Sequence, residues 1–557
     1  MQSRESGKRA GVPEVTGHAL AAPLPSQDSG PPPTSATTPT ATVTTAKFAR
    51  NSAANVLRLG LTSLVAILLP AYLTHHLPVA TYGAWVLILQ LGAYVSYLDF
   101  GVQTAVAKYI AEYEAKGDYD GCSRCASVGL AIMLAAAALG VVLTLLLAWR
   151  APHLFRAMPP NLLADARISI LFVGVSLSIT LAASVFSAVF LGLQRYQVPM
   201  VSGVATRLLY AAVICVAVAL HSSLATMGAA VAAANVAGAL LQVVLWKRLA
   251  AHVKVTLQAI DRTMLRQMLA YCAVLTIWSV CMLFITGIDI TLVGHYAFNQ
   301  VAFYSIASSP TNLILLVIGA ALGPLLPATS ALSVARSPQQ LGDILARTTR
   351  YSTIVLLLTG LPVVVGGYII LRLWVGSNYA VHSIEFLRIL LLANIVRNLC
   401  APYSTMVVAL SRQRVATAAA ITEAVVNLGC SIWFAKHYGA IGVAMGTLVG
   451  SFAGVAMHFG VSMAYTQTNF AVPRMQLFLK GILRPSAIAL PSLLLLPLWW
   501  REAAPALNVG MWAFGILGTL LLAWFAAITA AERSQLRRFL RRRLRPSQSA
   551  AATQEGR

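Results

Sequence analysis

The hydrophobic positions of this chain form long, nearly unbroken runs separated by short polar connections. About fourteen stretches of 18 or more mostly apolar residues fill the chain from Asn51 to Ala531, and roughly 20 helical residues are enough to cross a hydrocarbon core. A soluble fold could not bury so much apolar surface, so the pattern predicts an all-α polytopic membrane protein. The predicted spans are 51–74, 81–106, 125–149, 166–192, 199–220, 224–246, 268–293, 301–327, 351–374, 383–410, 415–435, 440–464, 483–500 and 508–530.

Short motifs recur at nearly constant separation between the first six predicted spans and the next six. The matching positions are Val79 to Gly83 and Val301 to Ser305, Leu193 to Arg195 and Leu410 to Arg412, and His221 and His437. Because six is an even number, two such units have parallel topology, related by an axis along the membrane normal. Transporters are often built in this way, with the substrate site between the halves.

The repeat and the local composition divide the chain into segments. The stretch that begins at Pro31 is rich in Pro, Ser, Thr and Ala, and such a composition cannot form a packed core. The predicted segments are a disordered tail at 1–46, an N-lobe at 47–246, a cytoplasmic linker at 247–267, a C-lobe at 268–465, two extra helices within 483–530, and a basic tail at 532–557.

The charge of the chain is better explained by a membrane than by nucleic acid. Only 10% of the residues are charged and the formal net charge is +23, whereas a soluble domain carries roughly 25% charged residues. The positive residues concentrate in alternate connections and at both termini, as the positive-inside rule requires. We therefore predict a membrane protein with both termini cytoplasmic, no nucleic-acid partner, and a C-terminal tail that lies on anionic lipid.

Motifs of enzymes and metal sites are missing from the sequence. The one C-x-x-C, formed by Cys122 and Cys125, has no second pair or histidine cluster nearby, and zinc sites need more ligands than this. Neither a Walker-type glycine loop nor a G-x-S-x-G or H-E-x-x-H motif is present. With such short connections there is no room for a soluble catalytic domain. We predict no enzymatic activity, no cofactor and no metal.

Among the charged residues within predicted spans, seven are candidates for function, because a charge near the bilayer centre costs at least a few kcal/mol. The basic ones are Arg58, Arg207, Arg388 and Arg397, and the acidic ones are Asp99, Asp289 and Glu423. Two interpretations remain open for them: internal ion pairs that stabilise packing, or the lining of a polar cavity. Guanidinium groups bind phosphate in bidentate fashion and stay charged, so the arginines are candidates for binding an anionic headgroup or sugar.

The three acids are candidates for pairing, gating or ion coupling. A carboxylate removed from water has a raised affinity for protons and can also bind sodium. Arg388 follows Glu385 by three residues, and this spacing would let the two side chains pair on one helix. We expect that Arg397→Ala abolishes export and leaves membrane insertion intact.

Several local motifs resemble those of the bacterial polysaccharide transporters, the O-antigen flippase type of the multidrug/oligosaccharidyl-lipid/polysaccharide exporter superfamily. The resemblance covers roughly residues 50–500. The motifs are Asn51-Ser-Ala-Ala-Asn55, Pro70, Tyr82-Gly83-Ala-Trp85, Leu98-Asp99-Phe100-Gly101, Ala105 to Tyr109, Lys116-Gly117-Asp118, Asp289 before Gly294 with Tyr304 following, Glu423-x-x-x-Asn427-x-x-x-Ser431, and Tyr438-Gly439-Ala-Ile-Gly442-Val-Ala444.

This resemblance implies two six-helix lobes around a central cationic cavity that opens alternately to either side of the membrane. It also implies a substrate, an undecaprenyl-pyrophosphate-linked oligosaccharide of an O-antigen, exopolysaccharide or capsule, and makes the polysaccharide polymerase machinery a candidate partner. The alternatives are a drug or cation antiporter of the same superfamily, a peptidoglycan-precursor flippase and, in a different class, a membrane-embedded glycan polymerase or ligase.

Overall fold

The structure, a computed structural model, describes residues 60, 63–256, 260–334, 337–487, 505–522 and 533–534. The predicted tail 1–46, Arg58, and nearly all of 532–557 lie outside these residues, as do parts of the first predicted span and of the last two. The described residues contain helices and connections and no strand. The predicted all-α membrane architecture is therefore confirmed.

The helices follow one another with short connections. They are α1 (63–76), α2 (Val79–Ala93), α3 (Val102–Ala115), α4 (Tyr119–Leu154), α5 (Pro160–Gly192), α6 (Gln197–Ala219), α7 (Leu224–Leu249), α8 (Arg262–Met282), α9 (Asp289–Tyr296), α10 (Val301–Leu322), α11 (Leu325–Val334), α12 (Pro338–Val375), α13 (Ser377–Asn398), α14 (Ala401–Ala409), α15 (Gln413–Tyr438), α16 (Ala440–Met457), α17 (Met463–Tyr465), α18 (Arg474–Gln476), α19 (Arg484–Ser486) and α20 (Pro505–Leu522).

Ten helical stretches of the described residues are long and apolar enough to cross a membrane, and the bent stretch from Arg262 to Gly287 is an eleventh. These correspond to predicted spans two to twelve. The other three predicted spans fall partly on residues that the structure does not describe, so the total of fourteen is not confirmed. Several helices are longer than predicted; α12 begins at Pro338, well before the predicted start at 351.

Sequence signals at the connections explain where helices stop and start. The Lys116-Gly117-Asp118 turn separates α3 from α4: Gly117 has a φ of +70°, a conformation that glycine adopts without the steric cost of a Cβ. The Asp118 carboxylate then accepts a hydrogen bond from the Gly121 amide at 2.7 Å. This is an N-cap, which satisfies one of the amides left free at the start of α4.

Buried apolar residues show how the two halves of the molecule meet. We call residues 63–256 the N-half and 262–465 the C-half, and we call the end predicted to face outward, with its connections at 155–159 and 297–300, the outer end. At this end a single hydrophobic cluster, the outer cluster, contains residues of both halves. Its members include Trp85, Phe155, Val218, Phe298, Tyr304 and Tyr379.

The inner ends of the halves have separate cores. One cluster contains Val106, Cys125 and Val189 of the N-half, and another contains Ile318, Leu357 and Met406 of the C-half. The halves therefore share packing at the outer end, and each has its own core at the inner end.

The helix α8 belongs to the C-half in sequence but packs at its inner end on the N-half. Met264, Met268 and Cys272 are members of the N-half inner cluster. The connection before α8 lies along α4, where the Ser123 hydroxyl accepts a hydrogen bond from the Lys254 amide and that of Ser127 accepts one from the Thr256 amide, both at 3.0 Å. After Met282 the chain forms a π-helical turn from Leu283 to Gly287 and continues into the C-half as α9.

Candidate functional site

A charged group lies inside the C-half, where α13 and α15 meet. The Arg397 guanidinium donates Nε to Glu423 Oε1, and both side chains are largely buried, with exposures of 14% and 10%. Arg397 Nη1 also donates to Asn394 Oδ1 at 3.4 Å. Removing one partner of a buried ion pair strongly destabilises a protein, because the other charge is then left without compensation.

Asp289 lies at the start of α9, directly after the π-helical turn. Its Oδ2 accepts hydrogen bonds from the Tyr304 hydroxyl of α10 at 3.3 Å and from the Thr447 hydroxyl of α16 at 3.1 Å. The residue is only 7% exposed, and its buried Oδ1 has no hydrogen-bond partner among the described residues. A buried polar atom without a partner is rare and requires an explanation, such as a proton or an ion that occupies the site in another state.

Small residues on α16 allow α15 to pack close to it, and this close packing positions the polar side chains that α15 contributes to the site. Gly446, Gly450 and Gly454 face Ser431, Asn427 and Glu423, so that each glycine stands opposite one polar residue of the motif. A Cβ on Gly450 would lie 2.6 Å from the Asn427 Cβ, and one on Gly454 would lie 2.8 Å from Glu423 Oε2. This is the small-xxx-small pattern by which membrane helices approach closely.

Asn427 connects α15 to the π-helical turn. Its Nδ2 donates to the Ile285 carbonyl at 2.9 Å, and its Oδ1 accepts a hydrogen bond from the Ser431 hydroxyl at 2.9 Å. A π-helical turn shifts the hydrogen-bond pattern of its carbonyls, and the amide of Asn427 supplies a donor there. The side chain therefore fixes the turn that precedes Asp289.

The charges of this group do not balance when both acids are ionised. One guanidinium faces two carboxylates, because Arg397 pairs with Glu423 and also acts electrostatically on Asp289. An uncompensated negative charge inside a membrane protein is costly, and a proton or a small cation at Asp289 would remove it. In the described part of the chain, no set of three or more His, Cys, Asp or Glu side chains is arranged to hold a metal ion.

Asp99 has a local role in the structure. It ends a 3₁₀ segment from Tyr94 to Asp99 and is followed by Phe100 and Gly101, both with positive φ. Its Oδ1 accepts a hydrogen bond from the Gln103 amide at 3.3 Å. The side chain therefore helps to start α3 after the break in this span.

The other two candidate arginines that the structure describes make different contacts. Arg207 is exposed on α6, with its guanidinium carbon 5.6 Å from the ring centre of Tyr210. Tyr210 in turn packs on the outer cluster. Arg388, half-buried on α13, donates Nε to the Val364 carbonyl of α12 at 3.3 Å. Of the predicted site residues, the structure thus brings together Arg397, Glu423 and Asp289.

Three residues of the site were not identified as candidates from the sequence. They are Thr447, Asn394 and Gln90, and the side chain of Gln90 donates to the Gly287 carbonyl of the π-helical turn. Each is a polar, uncharged residue within an apolar helix. The spacing of four residues along Gly446, Gly450 and Gly454 was an available signal, because it predicts a face of close approach to which the neighbouring Thr447 belongs.

Similarities to known proteins support the helical membrane fold and identify a protein family. The family description "Polysaccharide biosynthesis protein" matches residues 48–333. The structure is similar to the lipid II flippase MurJ in an inward closed conformation, with a TM-score of 0.64 and 15% identity over 85% of this chain and 98% of that one. No curated protein sequence matches significantly.

A multidrug resistance MATE family transporter of the MOP superfamily is also similar. In its inward-facing conformation it gives a TM-score of 0.60 at 18% identity, covering 74% of this chain and 98% of the transporter. An outward-facing conformation under the same description gives 0.52 at 17% identity over 76% and 95%. At these identities the likeness establishes the fold alone.

Proposed function

The chain belongs to the polysaccharide biosynthesis protein family, and from this premise we propose that it is a flippase for an undecaprenyl-pyrophosphate-linked oligosaccharide. It would move this substrate across the bacterial inner membrane by alternating access, with both termini in the cytoplasm. The observation that carries the proposal is the distribution of the hydrophobic clusters. The halves share a core at the outer end and have separate cores at the inner end, which is the arrangement expected of such a transporter when closed to the outside.

The proposed substrate carries a diphosphate, and arginine is the residue best suited to hold it. Arg207 is exposed on α6 one helical turn from Tyr210, which packs on the outer cluster. Its guanidinium would lie beneath the closed outer end, within reach of a headgroup that enters from the inner side. We assign the same role to Arg388 and to Arg58.

Arg397 has a different proposed role, because its guanidinium is held by Glu423. Together with Asp289, this pair would form the ion-coupling group of the C-half. Uptake of a proton or a sodium ion at Asp289 would neutralise the excess negative charge, and Oδ1, which no described residue hydrogen-bonds, is the position available for it.

The proposal is tested by a flipping assay in vesicles that contain the purified chain and a fluorescently labelled undecaprenyl-pyrophosphate-linked oligosaccharide. Dithionite added outside bleaches only the label in the outer leaflet, so that flipping converts partial bleaching into complete bleaching. Arg207→Ala is expected to slow the flipping about tenfold or more, since a charge-assisted hydrogen bond contributes about 1.5–3 kcal/mol. Arg150→Ala, at an exposed site beside Trp149, is the matched control and should leave the rate unchanged.

Ion coupling is tested in the same vesicles. Asp289→Asn keeps the size of the side chain and removes its charge, and we expect the rate to lose any response to an imposed proton or sodium gradient. If the Asn variant responded to the gradient as the parent does, Asp289 would not be the coupling site.

A second candidate substrate is a lipid-linked peptidoglycan precursor, favoured by the structural similarity to a lipid II flippase. The assay repeated with labelled lipid II separates the two. Movement of lipid II without movement of the oligosaccharide would replace the proposed substrate. Movement of neither lipid would leave a drug or cation antiporter as the next hypothesis.

A further inference from the structure

The π-helical turn between α8 and α9 receives a hydrogen bond from each half of the molecule. Gln90 of α2 donates Nε2 to the Gly287 carbonyl at 2.6 Å. On the other side, Asn427 of α15 donates to the Ile285 carbonyl at 2.9 Å. Two amide side chains, one from the N-half and one from the C-half, therefore hold the same turn, which ends two residues before Asp289.

A second bond between the halves lies on the far side of Asp289. The Tyr94 hydroxyl is hydrogen-bonded to the Thr291 hydroxyl. Gln90 and Tyr94 are four residues apart, as are Gly287 and Thr291, so each pair lies on one face of its helix. We call the Gln90–Gly287 and Tyr94–Thr291 bonds the latch, and the latch spans the position of Asp289.

The two halves approach closely at the latch. A Cβ on Gly287 would lie 2.9 Å from the Tyr97 hydroxyl of the N-half, so the Tyr97 side chain would have to shift. Towards the outer end the same helix α2 forms the seam between the halves. There Gly83 lies against Ala302, and the Tyr82 hydroxyl lies near the Ser305 side chain. Helix α2 and the first residue of the 3₁₀ segment that follows it therefore carry both the latch and the seam.

We propose that Gln90 transmits the occupancy of the Asp289 site to the closure of the outer seam. A proton or cation at Asp289 changes its bonds to Tyr304 and Thr447, and the backbone of Asp289 can move only together with Gly287 and Thr291, which the latch ties to α2. The equilibrium between the open and the closed seam then depends on the π-helical turn that precedes Asp289. This inference rests on the ion coupling of the proposed function and adds the residue that conveys it to the N-half.

The test measures the opening of the seam directly. Ser305→Cys places a nearly isosteric thiol in the seam at a position that is 9% exposed, so a polar maleimide reacts with it only when the seam opens. The full chain is studied in lipid nanodiscs, and the chain without this substitution gives the background from the native cysteines. We expect the labelling rate to change when sodium chloride replaces choline chloride or when the pH is shifted.

The Gln90→Leu variant of this reporter chain is expected to be labelled about three- to tenfold faster, the range for loss of one buried hydrogen bond between membrane helices. Its labelling should no longer depend on sodium or pH. Gln242→Leu, at an N-half glutamine of α7, is the control and should leave both the rate and its ion dependence intact. If Gln90→Leu lowers the yield of folded chain, Tyr94→Phe removes only a hydroxyl from the latch and should show the same loss of ion dependence.

Two results would overturn the inference. One is labelling of the Gln90 and Tyr94 variants that responds to sodium and pH as in the parent reporter, and the other is a parent reporter that responds to neither. In both cases flipping of the oligosaccharide by the same preparation would leave the proposed function standing. Conversely, a latch that behaves as expected in a chain that flips no oligosaccharide would contradict only the proposed substrate.

Discussion

The N-half and the C-half pack their helices by the same means but bury different polar chemistry. In both halves glycines allow close approach: Gly238 faces Thr206 in the N-half, as Gly450 faces Asn427 in the C-half. In the N-half a representative polar contact between helices is neutral and partly buried, with Asn235 Nδ2 donating to Ser176 Oγ at 3.0 Å. In the C-half it is the Arg397–Glu423 ion pair with Asp289 nearby.

This difference separates packing from function. Neutral side chains suffice to hold membrane helices together, with an average contribution of about 0.6 kcal/mol for each interhelical hydrogen bond. A buried ion pair is expensive to desolvate and is a poor source of stability. The ion pairs described in the N-half, Lys108–Glu112 and Arg124–Asp118, lie at exposed positions. The charges buried in the C-half therefore support the proposed ion coupling.

The largest effect is expected from breaking the C-half ion pair on one side. Arg397→Ala leaves the Glu423 carboxylate buried without a counter-charge, and we expect the unfolding free energy to fall by about 3–5 kcal/mol. Thermal unfolding in detergent measures this loss. The double variant Arg397→Met with Glu423→Leu should recover most of it, because no unpaired charge remains. A loss below about 1 kcal/mol in the single variant would show that water reaches the pair and that the C-half is not dry at this point.

An intermediate effect is expected from forcing the C-half helices apart. Gly450→Ala places a Cβ against Asn427, so that α15 and α16 must separate, and overpacking of this kind costs about 1–3 kcal/mol. Gly429→Ala on α15 is the matched control, since a Cβ there meets nothing within 4 Å. The same unfolding measurement applies. Equal stability of the two alanine variants would mean that the close approach of these helices is not needed.

The smallest effect is expected in the N-half. Asn235→Ala removes the bond to Ser176 and should cost about 0.6 kcal/mol, with about 1.7 as the upper end of the measured range. A double-mutant cycle with Ser176→Ala isolates this pair, and the corresponding cycle for Arg397 and Glu423 gives the C-half value. Equal coupling energies for the Asn235–Ser176 and Arg397–Glu423 pairs would contradict the difference between the halves.

Much of the fold follows from the apolar pattern, because helix length and hydrophobicity are local properties. The charged candidates were also visible, since any ionisable residue inside a span stands out. Their partners were not, because the sequence left Asp99, Asp289 and Glu423 equally available to Arg397. Contacts between neighbouring helices were equally hidden: the pairing of Arg388 with Glu385 stays a prediction, whereas the hydrogen bond from Arg388 Nε to the Val364 carbonyl of α12 had no signal in the sequence.

The π-helical turn could not have been predicted, since Leu283 to Gly287 reads as an ordinary apolar helix. It is held by Gln90 and Asn427, which lie far away in the sequence. For the same reason Gln90 was not identified as a candidate: an amide in an apolar helix has no evident role until its acceptor is known.

The packing of α8 has a consequence for the order in which the chain is assembled at the ribosome. Met264, Met268 and Cys272 complete the inner core of the N-half, and the stretch before them is fastened to α4 by Ser123 and Ser127. A nascent chain that has emerged only as far as the end of α7 therefore lacks part of its first core. A fragment intended to fold alone should extend through Met282, and one cut at the end of α7 would present an incomplete surface to chaperones and proteases.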